Sequence, residues 1–194
     1  MTTLSPSPAH LLIGKVLGQG EIAVITGNRK ASAKVRPIQS LLLAIMKGTR
    51  WLECPTKQGT KAAMLIPAGF KESTIHRLVS LGYKPEHLRQ VFAVPKGDWD
   101  STLAFIKEHV ADYGLVIVAR GEEIWGWGWD SAIRGMEDIR TVTGAAVIGD
   151  AFEVEDERSL FGAPEPEVII EIAGGNKNSI SIRRSGKRPV VIQT

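Results

Sequence analysis

The sequence predicts an α/β protein, because apolar strand-like runs alternate with stretches of helical periodicity along most of the chain. Glycine and proline separate these stretches and mark the turns between them. The pattern indicates two similar halves, each running strand, helix, strand, strand, helix, followed by a small C-terminal β-meander. An α+β arrangement and a single continuous α/β layer are the alternatives.

In the first half, two strands are expected to pair through a hairpin turn at residues 18–20, and Pro37 suits the first turn of a helix that ends before Gly48. The predicted elements are strands at 11–17 and 21–27, a helix at 38–47, strands at 50–54 and 61–66, a helix from about 70 to 81, and a short helical piece at 85–90.

In the second half, Asp100 or Ser101 can cap a helix, and Gly114 closes it. The predicted elements are strands at 91–94 and 115–119 around a helix at 100–113, a strand at 124–129, a helix at 131–142 and a strand at 145–154. Three short strands at 167–173, 179–184 and 189–193 would then form the meander.

The charge divides the chain into regions. Residues 1–97 hold 14 Lys or Arg and 4 Asp or Glu, whereas residues 98–194 hold 10 and 17. Such asymmetry favours a polyanion partner or electrostatic self-assembly. The predicted regions are a flexible lead at 1–10, a basic α/β domain at 11–97, an acidic α/β region at 98–154, a linker at 155–166 and the β-meander at 167–194.

Two basic segments are the candidate binding sites. Arg29, Lys30, Lys34 and Arg36 precede a helix, whose N-terminal amides and dipole favour phosphate. A second cluster, Lys57, Thr60 and Lys61, lies in a turn between two strands and can meet a phosphate backbone without reading its sequence.

The stretch from residue 21 to 66 resembles the RemA-type DNA-binding proteins, the extracellular matrix regulators. An apolar strand at 22–25, a helix opened by Pro37, an acidic residue (Glu53) before Thr56, and a basic turn closing at Lys61 carry the resemblance. Gln58 and Gly59 stand in the turn where that family has adjacent arginines. The resemblance implies a ring- or arc-shaped oligomer that displays basic turns to bent DNA.

Three tryptophans alternate with glycine at Trp125, Trp127 and Trp129, so in a strand all three indoles would lie on one face. The surrounding side chains are acidic, which disfavours nucleic acid there. Core packing or a subunit interface is the expected role.

These observations predict a cytoplasmic, oligomeric regulator or architectural protein that binds nucleic acid, DNA rather than RNA. The alternatives are a nucleotide- or phosphodiester-processing enzyme, with a carboxylate such as Glu53 for acid–base work, and a protein–protein adaptor. No catalytic residue is assigned, and no metal site, cofactor or membrane partner is expected. The four histidines are scattered, and Cys54, the one cysteine, is expected to be a buried apolar side chain.

Overall fold

The computed structural model describes residues 11–14, 16–27, 31–126, 128–150, 166–173, 179–184 and 190–193. The strands are β1 (Leu11–Ile13), β2 (Leu17–Gly18), β3 (Ile22–Gly27), β4 (Arg50–Trp51), β5 (Cys54–Pro55), β6 (Ala62–Pro67), β7 (Val91–Val94), β8 (Leu115–Val118), β9 (Ala146–Asp150), β10 (Val168–Ala173), β11 (Ser179–Arg184) and β12 (Val190–Gln193). The helices are α1 (Ala31–Lys47), α2 (Lys71–Ser80), α3 (Pro85–Leu88), α4 (Trp99–Val110), α5 (Glu122–Trp125) and α6 (Trp129–Thr143).

The main sheet of the described chain runs in the order β12-β11-β10-β3-β9-β8-β6-β7. Neighbouring strands from β10 to β7 are parallel, and β11 and β12 continue the sheet in antiparallel pairing. The predicted α/β class is confirmed, and the three C-terminal strands form a meander joined to the main sheet through β10. The hairpins β1-β2 and β4-β5 stand apart from it.

The two predicted halves share one sheet. Strand β3, from the basic half, lies between β9 and β10, which come from the second half of the chain. Ala23, Val24 and Ile25 of β3 are fully buried, so this strand needs a partner on each side and a layer on each face. Strands from both sides of residue 97 therefore share the sheet, and β3 pairs within it rather than with the strand at 11–17.

Helices cover both faces of the sheet and enclose a separate core on each. In β8, Leu115 and Ile117 contribute to the core beneath α1 and α2, whereas Val116 and Val118 contribute to the core beneath α4 and α6. Side chains alternate in direction along a strand, so four consecutive apolar residues are needed to line two cores. Among the described residues, no helix is long and apolar enough to cross a bilayer.

Helix α1 starts earlier than its sequence predicts. Pro37 lies inside the helix, although it lacks an N–H and was expected at the first turn. The carbonyl oxygen of Pro37 accepts hydrogen bonds from Trp51 Nε1 and from Ser40 Oγ, each at 2.9 Å. Side chains thus stabilise the helix around the proline, which short-range sequence rules do not anticipate.

Candidate functional site

The carboxyl ends of the parallel strands define the candidate site. Strands β3, β6, β7, β8 and β9 run in the same direction, so the loops that follow them lie along one edge of the sheet. Open parallel α/β sheets bind their ligands at this edge. We call it the carboxyl edge.

The first basic segment spans the end of β3 and the start of α1. Strand β3 reaches the carboxyl edge at Gly27 and α1 begins at Ala31. Arg29 and Lys30 lie outside the described residues. Lys34 and Arg36 fall in the first two turns of α1, whereas the sequence predicted that they precede the helix.

The second basic cluster lies at the opposite edge. Lys61 immediately precedes β6, and its Nζ lies 4.5 Å from the centroid of the Tyr113 ring. Thr60 Oγ1 donates to the carbonyl oxygen of Lys57 at 2.9 Å. Because β6 has six residues, the length of the sheet, about 20 Å, separates this cluster from the carboxyl edge. This cluster therefore lies at the far end of the sheet from Gly27, where β3 reaches the carboxyl edge.

The tryptophan segment is helical rather than extended. Trp125 ends α5 and Trp129 begins α6, while Trp127 lies outside the described residues. Gly126 and Gly128 have φ of 91° and 106°, values that glycine adopts readily, and they separate the two helices. Trp129 is buried, with 4% of its surface exposed, and packs in the core beneath α6. The prediction of a strand with three indoles on one face is wrong, because glycine here permits a turn.

Arg120 is a residue of the carboxyl edge that sequence reasoning missed. It follows β8 with φ of +61°, a left-handed conformation that is uncommon for a side chain this large. Its guanidinium stacks over the Phe70 ring, 3.8 Å from the centroid, and lies 3.8 Å from Glu123. A charged residue directly after a fully apolar parallel strand is the signal that would have identified it.

The loop after β8 is tied to the end of β9. Asp150 is buried, and its Oδ1 accepts a hydrogen bond from the backbone N–H of Gly121 at 2.8 Å. The carboxylate thus holds the turn that presents Arg120. Asp150 therefore has a structural role at the end of β9.

A cleft opens at the same edge beyond β6 and β7. Its volume is about 240 Å³. The turn after β6 forms one wall, with Gly69 and Phe70, and the turn after β7 forms the other, with Lys96 and Gly97. A Cβ added at Gly69 would meet no atom within 4 Å, so this wall leaves open space for a ligand.

The candidate catalytic residues do not come together in one site. Glu53, proposed for acid–base work, is exposed and pairs with Arg50 at 3.9 Å. Cys54 is buried, in agreement with its expected role in the core. In the part of the chain that the structure describes, no three His, Cys, Asp or Glu side chains are grouped as metal ligands.

The comparison with solved structures identifies the architecture. A KaiC-like protein from the hyperthermophilic archaeon Pyrococcus horikoshii superimposes with a TM-score of 0.62 over 94% of this chain and 93% of that one, at 12% sequence identity. At this identity the likeness defines the fold. No protein-family model matches the sequence, and no curated protein matches it.

This likeness contradicts the DNA-binding regulator that the sequence predicted. Nearly the whole chain, and not its basic half alone, follows a KaiC-like architecture. Lys34 and Arg36 belong to α1, which follows the central strand β3, whereas Lys61 precedes β6 at the other edge of the sheet.

Proposed function

We propose that this protein binds a nucleotide at the carboxyl edge, with the phosphates against the loop between β3 and α1. The observation that carries the proposal is the connection from β3 to α1. The central strand β3 ends at Gly27 on the carboxyl edge, and the 17-residue helix α1 begins at Ala31, so only residues 28–30 separate them. Backbone amides at such a helix start, together with the helix dipole, bind phosphate. The KaiC-like architecture supports a nucleotide rather than an unrelated anion.

The charge around this loop supports the same proposal. Arg29, Lys30, Lys34 and Arg36 lie within eight residues, and the sequence has no acidic residue between Glu21 and Glu53. A phosphate group at the loop would therefore have only cations beside it in the sequence.

The sequence of this loop differs from the P-loop motif of nucleotide-hydrolysing proteins. That motif is G-x-x-x-x-G-K-[ST], in which the second glycine lets the backbone surround the phosphates and the final hydroxyl binds Mg²⁺. Counting from Gly27, Ser32 replaces the glycine, Ala33 the lysine and Lys34 the hydroxyl residue. The residues do not fit a P-loop magnesium site. We therefore propose binding of the nucleotide, held by cations, without magnesium-dependent turnover.

Isothermal titration calorimetry with ATP and ADP at low salt tests the proposal. Each charge-assisted hydrogen bond contributes about 1.5–3 kcal/mol, so the double variant Arg29→Ala/Lys30→Ala should bind at least about tenfold more weakly. The same samples, incubated with ATP and Mg²⁺, should release no phosphate above the buffer rate.

The double variant Lys57→Ala/Lys61→Ala is the matched control. It removes the same charge from the opposite edge of the sheet and should leave the Kd within about twofold, since exposed charges about 20 Å away are screened. An equal loss in both variants would show that only net charge matters. Absence of binding to the wild-type chain would refute nucleotide binding itself.

A further inference from the structure

A small polar pocket lies between α1, α2 and the loop after β8. Five side chains line it: Gln39, Ser73, Thr74, Arg77 and Arg120. Two carry guanidinium groups, two carry hydroxyls, one carries an amide, and none is acidic. Water-sized atoms have about 30 Å³ available there, which is room for about two oxygen-sized atoms.

Two polar atoms of this pocket lack partners among the described residues. Gln39 is 2% exposed, and its Oε1 makes no hydrogen bond. The Nε of Arg120 is likewise buried without an acceptor. Leaving a buried polar group unsatisfied costs about 1–3 kcal/mol, so the Nε–H of Arg120 calls for an acceptor. The Gln39 amide can donate to the same acceptor when its side chain turns so that Nε2 and Oε1 exchange places.

The neighbouring contacts keep these groups available. Glu123 pairs with Nη2 of Arg120 at 3.8 Å, so Nε remains the guanidinium atom without a partner, and the Phe70 ring holds the guanidinium plane from one side. The backbone carbonyl of Gln39 accepts a hydrogen bond from the Tyr83 hydroxyl, which fixes this turn of α1. Arg77 is exposed on α2 and gives the pocket an opening toward solvent.

We propose that this pocket binds the terminal oxyanion of a ligand, a phosphate or carboxylate group, between the guanidinium groups of Arg77 and Arg120. The planar fork of arginine donates two parallel hydrogen bonds to such a group, and the space matches two of its oxygens. Gln39 lies eight residues beyond the start of α1, about 12 Å along the helix from the end of the loop proposed for nucleotide phosphates.

Titrations of the full chain with sodium phosphate and, separately, with sodium acetate test the pocket. Calorimetry gives the Kd, and the arginine Nε–H resonances in a ¹H–¹⁵N spectrum report on the Arg120 atom directly. Anion binding should shift one buried Nε–H resonance. The Arg77→Gln variant should bind the anion at least about tenfold more weakly. If only phosphate binds, the ligand group of the pocket is a phosphoryl group. If only acetate binds, it is a carboxylate.

Two controls separate this site from other anion binding. Arg134→Gln removes an exposed arginine from α6, on the other face of the sheet, and should leave the Kd within about twofold. Arg29→Ala/Lys30→Ala should also leave it unchanged, although that variant is expected to lose nucleotide. Loss of anion binding in that double variant would show that the anion binds at the β3–α1 loop instead. No resonance shift with either anion would mean that the pocket holds water only, and would overturn the proposal.

Discussion

Gly149→Ala is expected to lower the free energy of unfolding by about 1–3 kcal/mol. Gly149 lies in β9, a buried strand between β3 and β8. A Cβ at this position would lie 2.8 Å from Cη2 of Trp125 and 3.1 Å from Sδ of Met136. The strand cannot move aside without breaking its pairing on both sides, so the indole would have to leave its place.

Urea denaturation followed by circular dichroism measures this change, and Gly114→Ala is the matched control. A Cβ at Gly114 would lie 3.9 Å from the nearest atom, the carbonyl oxygen of Lys61, which is ordinary contact. Its free energy of unfolding should stay within about 0.5 kcal/mol of the wild type. Equal stability of the two variants would show that Trp125 is not packed against β9 as described.

Tyr83→Phe is expected to destabilise the fold by about 2–4 kcal/mol, because it leaves two buried groups without partners. The Tyr83 hydroxyl donates to the carbonyl oxygen of Gln39 and accepts from the backbone N–H of Leu43, the latter at 3.0 Å. These two groups are four residues apart and would pair directly in a regular helix, so the hydroxyl is inserted into the hydrogen-bond ladder of α1.

Tyr113→Phe provides the comparison, measured by the same denaturation. Tyr113 is partly exposed, and it contacts Phe92 and Lys61 through its aromatic ring. Loss of its hydroxyl should change stability by less than about 0.5 kcal/mol. If Tyr83→Phe costs equally little, α1 closes its own hydrogen bond and the inserted hydroxyl is dispensable.

The same tyrosine makes stability depend on alkaline pH. Burial raises the pKa of Tyr83 well above its usual value, and the hydrogen bond from Leu43 offsets only part of that shift. The folded state keeps the proton while the unfolded chain loses it near pH 10, so the stability contribution is complete below pH 10 and declines above it. Stability of Tyr83→Phe should fall less steeply between pH 10 and 11.

The strands and helices with a single strong pattern were predicted closely. The apolar run at 115–119 corresponds to β8, and the periodic stretch at 131–142 corresponds to most of α6. Both patterns are local, since burial on two faces and amphipathic periodicity appear within one element. The segment at 124–129 was read as a strand because its alternation has period two, yet two glycines with positive φ turn the chain there.

The residues proposed for nucleotide binding are close together in the sequence. Gly27 ends β3 and Ala31 begins α1, so the chain itself joins the strand end to the helix start. Arg77 and Arg120 are 43 positions apart and come together only because β6 and β8 pair as neighbours in the sheet. No local pattern records that pairing.

By itself, the sequence determined the α/β class and the C-terminal meander, because each follows from side chains adjacent along the chain. Tertiary structure alone decided that β3 lies between β9 and β10, that Lys61 and the end of β3 lie at opposite edges of the sheet, and that Gln39 lines one pocket with two arginines. The order of strands in the sheet depends on packing between helices and strands that are far apart in the sequence. Local sequence patterns do not record that packing.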